Sequence, residues 1–236
     1  MKTIIHRADS RGGGDYGWLK TKYSFSFANW HEPSRMGFGA LRVINDDWIA
    51  PDGGFDPHSH KDMEIITIVM KGAVAHEDSG GGKGVVKAGE VQAMSAGTGV
   101  THAEYNASKT EALELFQIWI APRAPGGTPR YATKDFGALG KLPGSRLLVG
   151  PDGTQDALAI GQDAYITHVM LDAAREATYA LHSEQNALYM LVINGAVTVV
   201  GETLNRRDAI GVSEVKEIVL ATPNDAAVLV IEVPYS

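Results

Sequence analysis

Residues 54–72 read GFDPHSHKDMEIITIVMKG. His58 and His60 stand two apart, Glu64 follows four later, and an apolar run rich in Ile and Val leads to Gly72. Such a run, bounded by glycines, favours a strand. Alternate side chains of an extended strand share a face. His58, His60 and Glu64 are therefore expected on one side, with Ile66 and Ile68 continuing that face and marking it as the inner one. Two imidazoles and a carboxylate on an inward face cost free energy unless they are paired or bound to a metal.

The rest of the chain repeats this grammar. Short apolar or alternating segments recur, among them FGALRVIND, ELFQIWIAP, AYITHVMLD, ALYMLVING and AVLVIEVP, with GGG, DGG, SGGGKG, PDG and PND between them. Strands of four to eight residues separated by turn residues predict an all-β protein, a sandwich or a barrel. IVMKGAV at 68–74 is echoed by LVINGAV at 191–197, which suggests two similar β-barrels in tandem. Between them the stretch 121–145 holds four prolines and five glycines without a steady period, so a linker is expected at about 122–145.

The partner of the opening stretch lies at 95–106, SAGTGVTHAEYN. His102 and Glu104 are again two apart, and Gly97 and Gly99 permit a tight turn that lays this strand beside the first. Three histidines and a carboxylate then converge from two neighbouring strands. Nitrogen and oxygen donors without sulfur suit Fe(II), Mn(II), Ni(II), Cu(II) or Zn(II). Four protein ligands on a six-coordinate ion leave two positions for substrate, water or O2.

Composition removes several alternatives. The chain of 236 residues has no cysteine, which excludes disulfides, thiolate zinc sites, iron–sulfur clusters and cysteine nucleophiles. A net charge of −7 without a basic run argues against direct nucleic-acid binding. The longest apolar runs are too short to span a bilayer, and the N-terminal stretch lacks a signal-peptide core, so a cytoplasmic protein is expected. SGGGKG at 79–84 lacks the Ser or Thr of a phosphate loop and reads as a hairpin turn, and no GxSxG elbow occurs.

Several separated motifs, in order, resemble the pirin family of cupins. GFDPHSHKDME followed by Gly72 resembles the first cupin motif, and GEVQAMSAGTGVTHAEYN at 89–106 resembles the second in its pirin form. YSFSFANWHEPSRMGFGALRVINDD at 23–47 and AHEDSGG at 75–81 are also similar to that family. The resemblance implies a bicupin: an N-terminal metal-binding domain over 1–125 and a degenerate C-terminal cupin without metal over 145–236. It implies that His58, His60, His102 and Glu104 hold one metal, usually iron. Glu64 then becomes a supporting residue that orients an imidazole, and Ser59 departs from the proline usual between the two histidines. Shifted by the repeat offset, the four ligand positions fall on Leu181, Ser183, Asp225 and Ala227, none of them an imidazole.

Two further residues are candidates for the surroundings of the metal. Gln117 lies on a strand expected beside the ligands, and His76 at the cavity mouth or a hairpin edge. Function divides two ways. The resemblance implies a metal-dependent dioxygenase able to cleave flavonols such as quercetin with O2, in which Glu104 takes the proton of an enol-type hydroxyl. The alternative is a regulatory or protein-binding module, or a redox sensor, with a protein partner and no physiological turnover. In either case a monomer is expected.

Overall fold

The computed structural model describes residues 1–137, 139 and 144–235. Among these residues 22 strands form and one short 3-10 turn, Ala8–Ser10, is the helical element. The first part of the chain supplies β1 (Lys2–His6), β2 (Gly12–Asp15), β3 (Leu19–Tyr23), β4 (Leu41–Ile49), β5 (Gly54–His60), β6 (Glu64–Lys71), β7 (Ala73–Asp78), β8 (Lys83–Lys87), β9 (Glu90–Ser95), β10 (Val100–Asn106), β11 (Leu113–Ile120) and β12 (Arg130–Asp135). The second supplies β13 (Gly144–Pro151), β14 (Leu158–Ile160), β15 (Tyr165–Leu171), β16 (Glu176–Ala180), β17 (Asn186–Asn194), β18 (Ala196–Val199), β19 (Glu202–Asn205), β20 (Ala209–Ser213), β21 (Glu217–Ala221) and β22 (Ala226–Pro234).

Each half is a seven-stranded sheet opposed to a four-stranded one, the double-sheet arrangement of a cupin used twice. In the first half β12-β9-β6-β11-β4-β3-β2 stands opposite β5-β10-β7-β8. In the second, β1-β20-β17-β22-β15-β13-β14 stands opposite β16-β21-β18-β19. The two large sheets also pack on each other. Their shared core includes Ile44, Ile66, Ile68, Phe116 and Ile118 from one half and Tyr189, Leu191, Leu229 and Ile231 from the other. Strands β6, β17 and β22 thus bury both faces, which is why they read as nearly continuous apolar runs. Strand β3, LKTKY, has one wet face and alternates strictly.

The opening stretch is not one regular strand. Asp62 adopts a left-handed backbone conformation, at φ 51, and the chain turns between β5 and β6, which enter different sheets. The single inward face expected for His58, His60, Glu64, Ile66 and Ile68 is therefore broken at Asp62. Ile66 and Ile68 face the other half, and the residues alternating with them, Ile65, Thr67 and Val69, face the inside of their own sheet pair.

Two strands pair in ways that sequence period does not reveal. β1 is hydrogen-bonded to β20, from Lys2 opposite Ser213 to His6 opposite Ala209, so the N-terminus completes the second half's large sheet. β12 lies within the expected linker and pairs with β9. Residues 138 and 140–143 of that linker lie outside the described residues. Asp46 also joins the halves, accepting from Arg11 Nη2 at 3.1 Å and from Arg207 Nε at 2.7 Å.

Candidate metal centre

The histidines come together because β5 and β10 are antiparallel neighbours with His58 directly opposite His102. The register slips between His102 and Glu104, where β5 carries an extra residue around Pro57. Proline cannot donate to the ladder and belongs at such a bulge. The slip leaves the Asp56 carbonyl free to accept from His58 Nδ1 at 2.8 Å. That bond orients the ring and leaves Nε2 as its open lone pair. The ring centroids of His58, His60 and His102 lie 4.5–4.9 Å apart. His60 stands edge-on to Trp119 at 4.9 Å.

Strand β7 brings a fourth imidazole. Glu104 is opposite His76, and His102 is opposite Asp78. His76 Nε2 donates to Asp78 Oδ2 at 2.9 Å, and its Nδ1 lies 3.4 Å from His102 Nδ1 and 3.9 Å from Glu104 Oε1. His102 Nε2 is buried and has no partner. A buried orphan imidazole nitrogen is costly unless it binds something. Two donor groups are close enough to share an ion, His58 with His60 and His102, and His76 with His102 and Glu104. Nitrogen and oxygen donors in this number fit a divalent transition metal.

Glu104 is 3% exposed and fully engaged. Gln92 Nε2 donates to its Oε1 at 2.8 Å, Gln117 Nε2 to its Oε2 at 2.9 Å, and the Thr67 hydroxyl to Oε1 at 3.4 Å. Burial alone would raise its pKa. The nearby His76 and His102 imidazoles and the Gln92 amide outweigh burial and hold the carboxyl below its ordinary value. Burial drives His60 and His102 down to about 4, so both rings are neutral and ready to bind at neutral pH. For His76, burial pulls downward, but the Glu104 carboxylate nearby and the hydrogen bond to Asp78 prevail and raise it.

Glu64 goes elsewhere, a correction to its expected role beside an imidazole. It shares the face of Ile66 and Ile68, accepts from the Ser95 hydroxyl at 2.6 Å and abuts Gly161 of the second half. The turn at Asp62 is the cause, because it puts Glu64 on the outer side of its sheet. Gln117 lies against Glu104, and His76 lies against His102. Sequence reasoning missed Thr67, Gln92, Asp78 and Tyr131. Tyr131 stacks on His76 at 4.4 Å and donates to Gln92 Oε1 at 3.1 Å. A signal was present: Thr67, Gln92 and Gln117 are polar residues midway along three apolar strands, and the register sets Thr67 beside both glutamines. The corresponding trio in the second half is Met190, Ile210 and Val230, all buried in its apolar core. His182 there is tied to the fully buried Glu232 at 2.7 Å.

A cavity of about 400 Å³ opens on His58, Glu104 and Gln117. Trp18, Tyr23, Phe27, Phe55 and Trp119 supply aromatic walls, and Thr21, Asn45 and Asp47 a polar one. Burial lifts the Asp47 carboxyl to about 7, against the Thr21 hydroxyl beside it and with help from the charges of Asp46 and Glu104. A larger cleft of about 860 Å³, lined by Arg11, Asp46 and Arg207 and sharing Thr21 and Asp47 with the first, contains none of the histidines.

Comparison with known proteins agrees with this architecture. Residues 5–120 match the family model described as Pirin, and residues 147–233 the one described as Quercetinase C-terminal cupin domain. The chain is 44% identical to a pirin-like protein of Caulobacter vibrioides, over 95% of this chain and 96% of that one. It is 41% identical to an Escherichia coli protein named quercetin 2,3-dioxygenase, over 98% of each. The crystal structure of the Escherichia coli bacterial pirin YhhW in complex with nickel(II) superposes with a TM-score of 0.94 at 39% identity, covering all of both chains.

Proposed function

This chain belongs to the pirin family, and from that premise we propose that it is a metal-dependent dioxygenase that cleaves flavonols such as quercetin with O2. The observation that carries the reading is the joining of an orphan-bearing histidine cluster to an aromatic-walled cavity of about 400 Å³, a size suited to a small planar molecule. Relatives named quercetin 2,3-dioxygenase support the substrate class.

His58, His60, His102 and Glu104 are the residues we assign to the metal, with iron(II) as the inferred ion; the same donors also accept manganese, nickel, copper or zinc. A bound divalent ion supplies a Lewis acid for a chelating hydroxyl–carbonyl pair and a route for O2. The protein's part is to fix and to exclude. Asp56 and His76 set the rings of His58 and His102. Glu104, kept ionised in its cradle of amides, is the acceptor for the substrate hydroxyl proton. Trp119, Phe27 and Phe55 keep bulk water from the reacting face. In this reading residues 1–125 carry the chemistry and 145–236 close and support the unit.

The test is aerobic turnover of quercetin with bound metal counted, beside a His58→Ala, His102→Ala double variant. Turnover with one metal per chain, lost in the variant, is expected. Full activity without the two histidines would overturn the site. Stoichiometric metal without turnover of quercetin or simpler enols would instead favour a regulatory or redox-sensing protein.

A further inference from the structure

Among the described residues, Asp47 on the cavity wall is the buried carboxylate with an oxygen left without a partner. Glu104 takes side-chain donors from Gln92, Gln117 and Thr67, and Glu232 takes them from Tyr179, His182 and Asn186. Asp47 is 6% exposed, and its Oδ1 is buried without a partner. Asn45 Oδ1 and Thr21 Oγ1 are likewise buried and unpartnered. Strand alternation gathers these three on one patch. Thr21 is opposite Asp47 across β3 and β4, Asn45 precedes Asp47 by two on the same face, and all three line the cavity.

Unpaired buried acceptors in a group are a standing cost that folding alone does not repay. Their position says what relieves it. Asn45 lies directly opposite Gln117, the residue that holds Glu104. Asp47 is one step further along that face, a diagonal neighbour at about 7–8 Å from Gln117. The space between is walled by rings, with Phe27 against Trp119 at 5.4 Å and Trp18 against Phe55 at 5.3 Å. A flat aromatic ligand with one end at the histidines brings its far end to an acceptor-rich wall. The complement of such a wall is a hydroxyl donor.

Resting on the dioxygenase reading above, we propose that Asp47, with Asn45 and Thr21 beside it, binds a ring hydroxyl remote from the chelating end and so selects polyhydroxylated aromatic substrates over unhydroxylated ones. Asp47 is thus a specificity-determining residue, distinct from those that hold the metal.

The experiment compares quercetin with 3-hydroxyflavone, which keeps the chelating hydroxyl–carbonyl pair and lacks the remaining hydroxyls. Binding to the metal-loaded protein is read by quenching of tryptophan fluorescence, and turnover as kcat and KM. The wild type is expected to bind quercetin at least tenfold more tightly. Asp47→Leu, similar in size, is expected to bring the two within about twofold while bound metal and melting temperature are kept or raised. Asp47→Asn, which retains one acceptor, covers the case in which Leu misfolds, and is expected to fall between them. An unchanged quercetin preference in either folded variant, or none in the wild type, would overturn the proposal. Selective binding without turnover would sink only the dioxygenase reading; turnover with selectivity untouched by Asp47 would sink only this one.

Discussion

His102 Nδ1 lies 3.4 Å from His76 Nδ1, although 26 residues separate the two in sequence. His76 is in turn anchored to Asp78 and stacked under Tyr131. Removing it frees the His102 ring to rotate. Outer partners of metal-bound imidazoles are worth about 10–100-fold in metal affinity. His76→Ala should weaken metal binding by that range in a chelator competition, with the strand framework intact by circular dichroism.

Glu64 offers the contrasting case. Its partner is Ser95, on the far side of the sheet from the imidazoles. Glu64→Gln keeps the size and can still accept from Ser95, so metal affinity should stay within about twofold of wild type, since its environment is independent of the ligand rings. Glu104→Gln should lose most metal. Equal losses in the two variants, measured by metal content after dialysis, would contradict this placement.

The amide cradle of Glu104 gives a third expectation. Gln117→Val copies the second half, where Val230 stands in the equivalent place. The variant removes one donor from a fully buried carboxylate, at a cost of about 1–3 kcal/mol. Chemical denaturation of the metal-free protein should show that loss, and metal affinity should fall with it.

Asp47 predicts a pH dependence. Its folded pKa of about 7 stands above the ordinary 3.8. Between those values the folded state binds more protons at this group than the unfolded state, so its contribution to stability declines as pH rises. Over that window the decline is a few kcal/mol, on the order of 1.4 kcal/mol for each pKa unit. Asp47→Asn should therefore gain on wild type from about pH 4 to about pH 7, then level off, in denaturant midpoints of the metal-free protein. A constant difference across that range would show that Asp47 titrates normally.

Much of this was legible in the residues themselves. The β-rich, two-part plan follows from short apolar runs between glycine turns, and the spacings His58–His60 and His102–Glu104 place donors on shared strand faces because alternation is a local property. Parity failed where a single residue changed the backbone. Asp62, at φ 51, ends β5 and sends Glu64 outward, and such a left-handed turn at a non-glycine residue is not written in the hydrophobic period.

By itself, then, the sequence determined the strand-rich class, the exclusion of sulfur ligands and the pairs of residues able to face a metal, since all of these depend on composition and near-neighbour geometry. Tertiary structure decided which side chains surround those pairs. Strand register set Thr67 between Gln92 and Gln117, β12 carried Tyr131 back over His76, and β1 crossed to the second half. It also left Asp47 unpaired on the wall of the cavity. Those relations rest on contacts between distant segments, made only when the sheets close on one another and bury what lies between them.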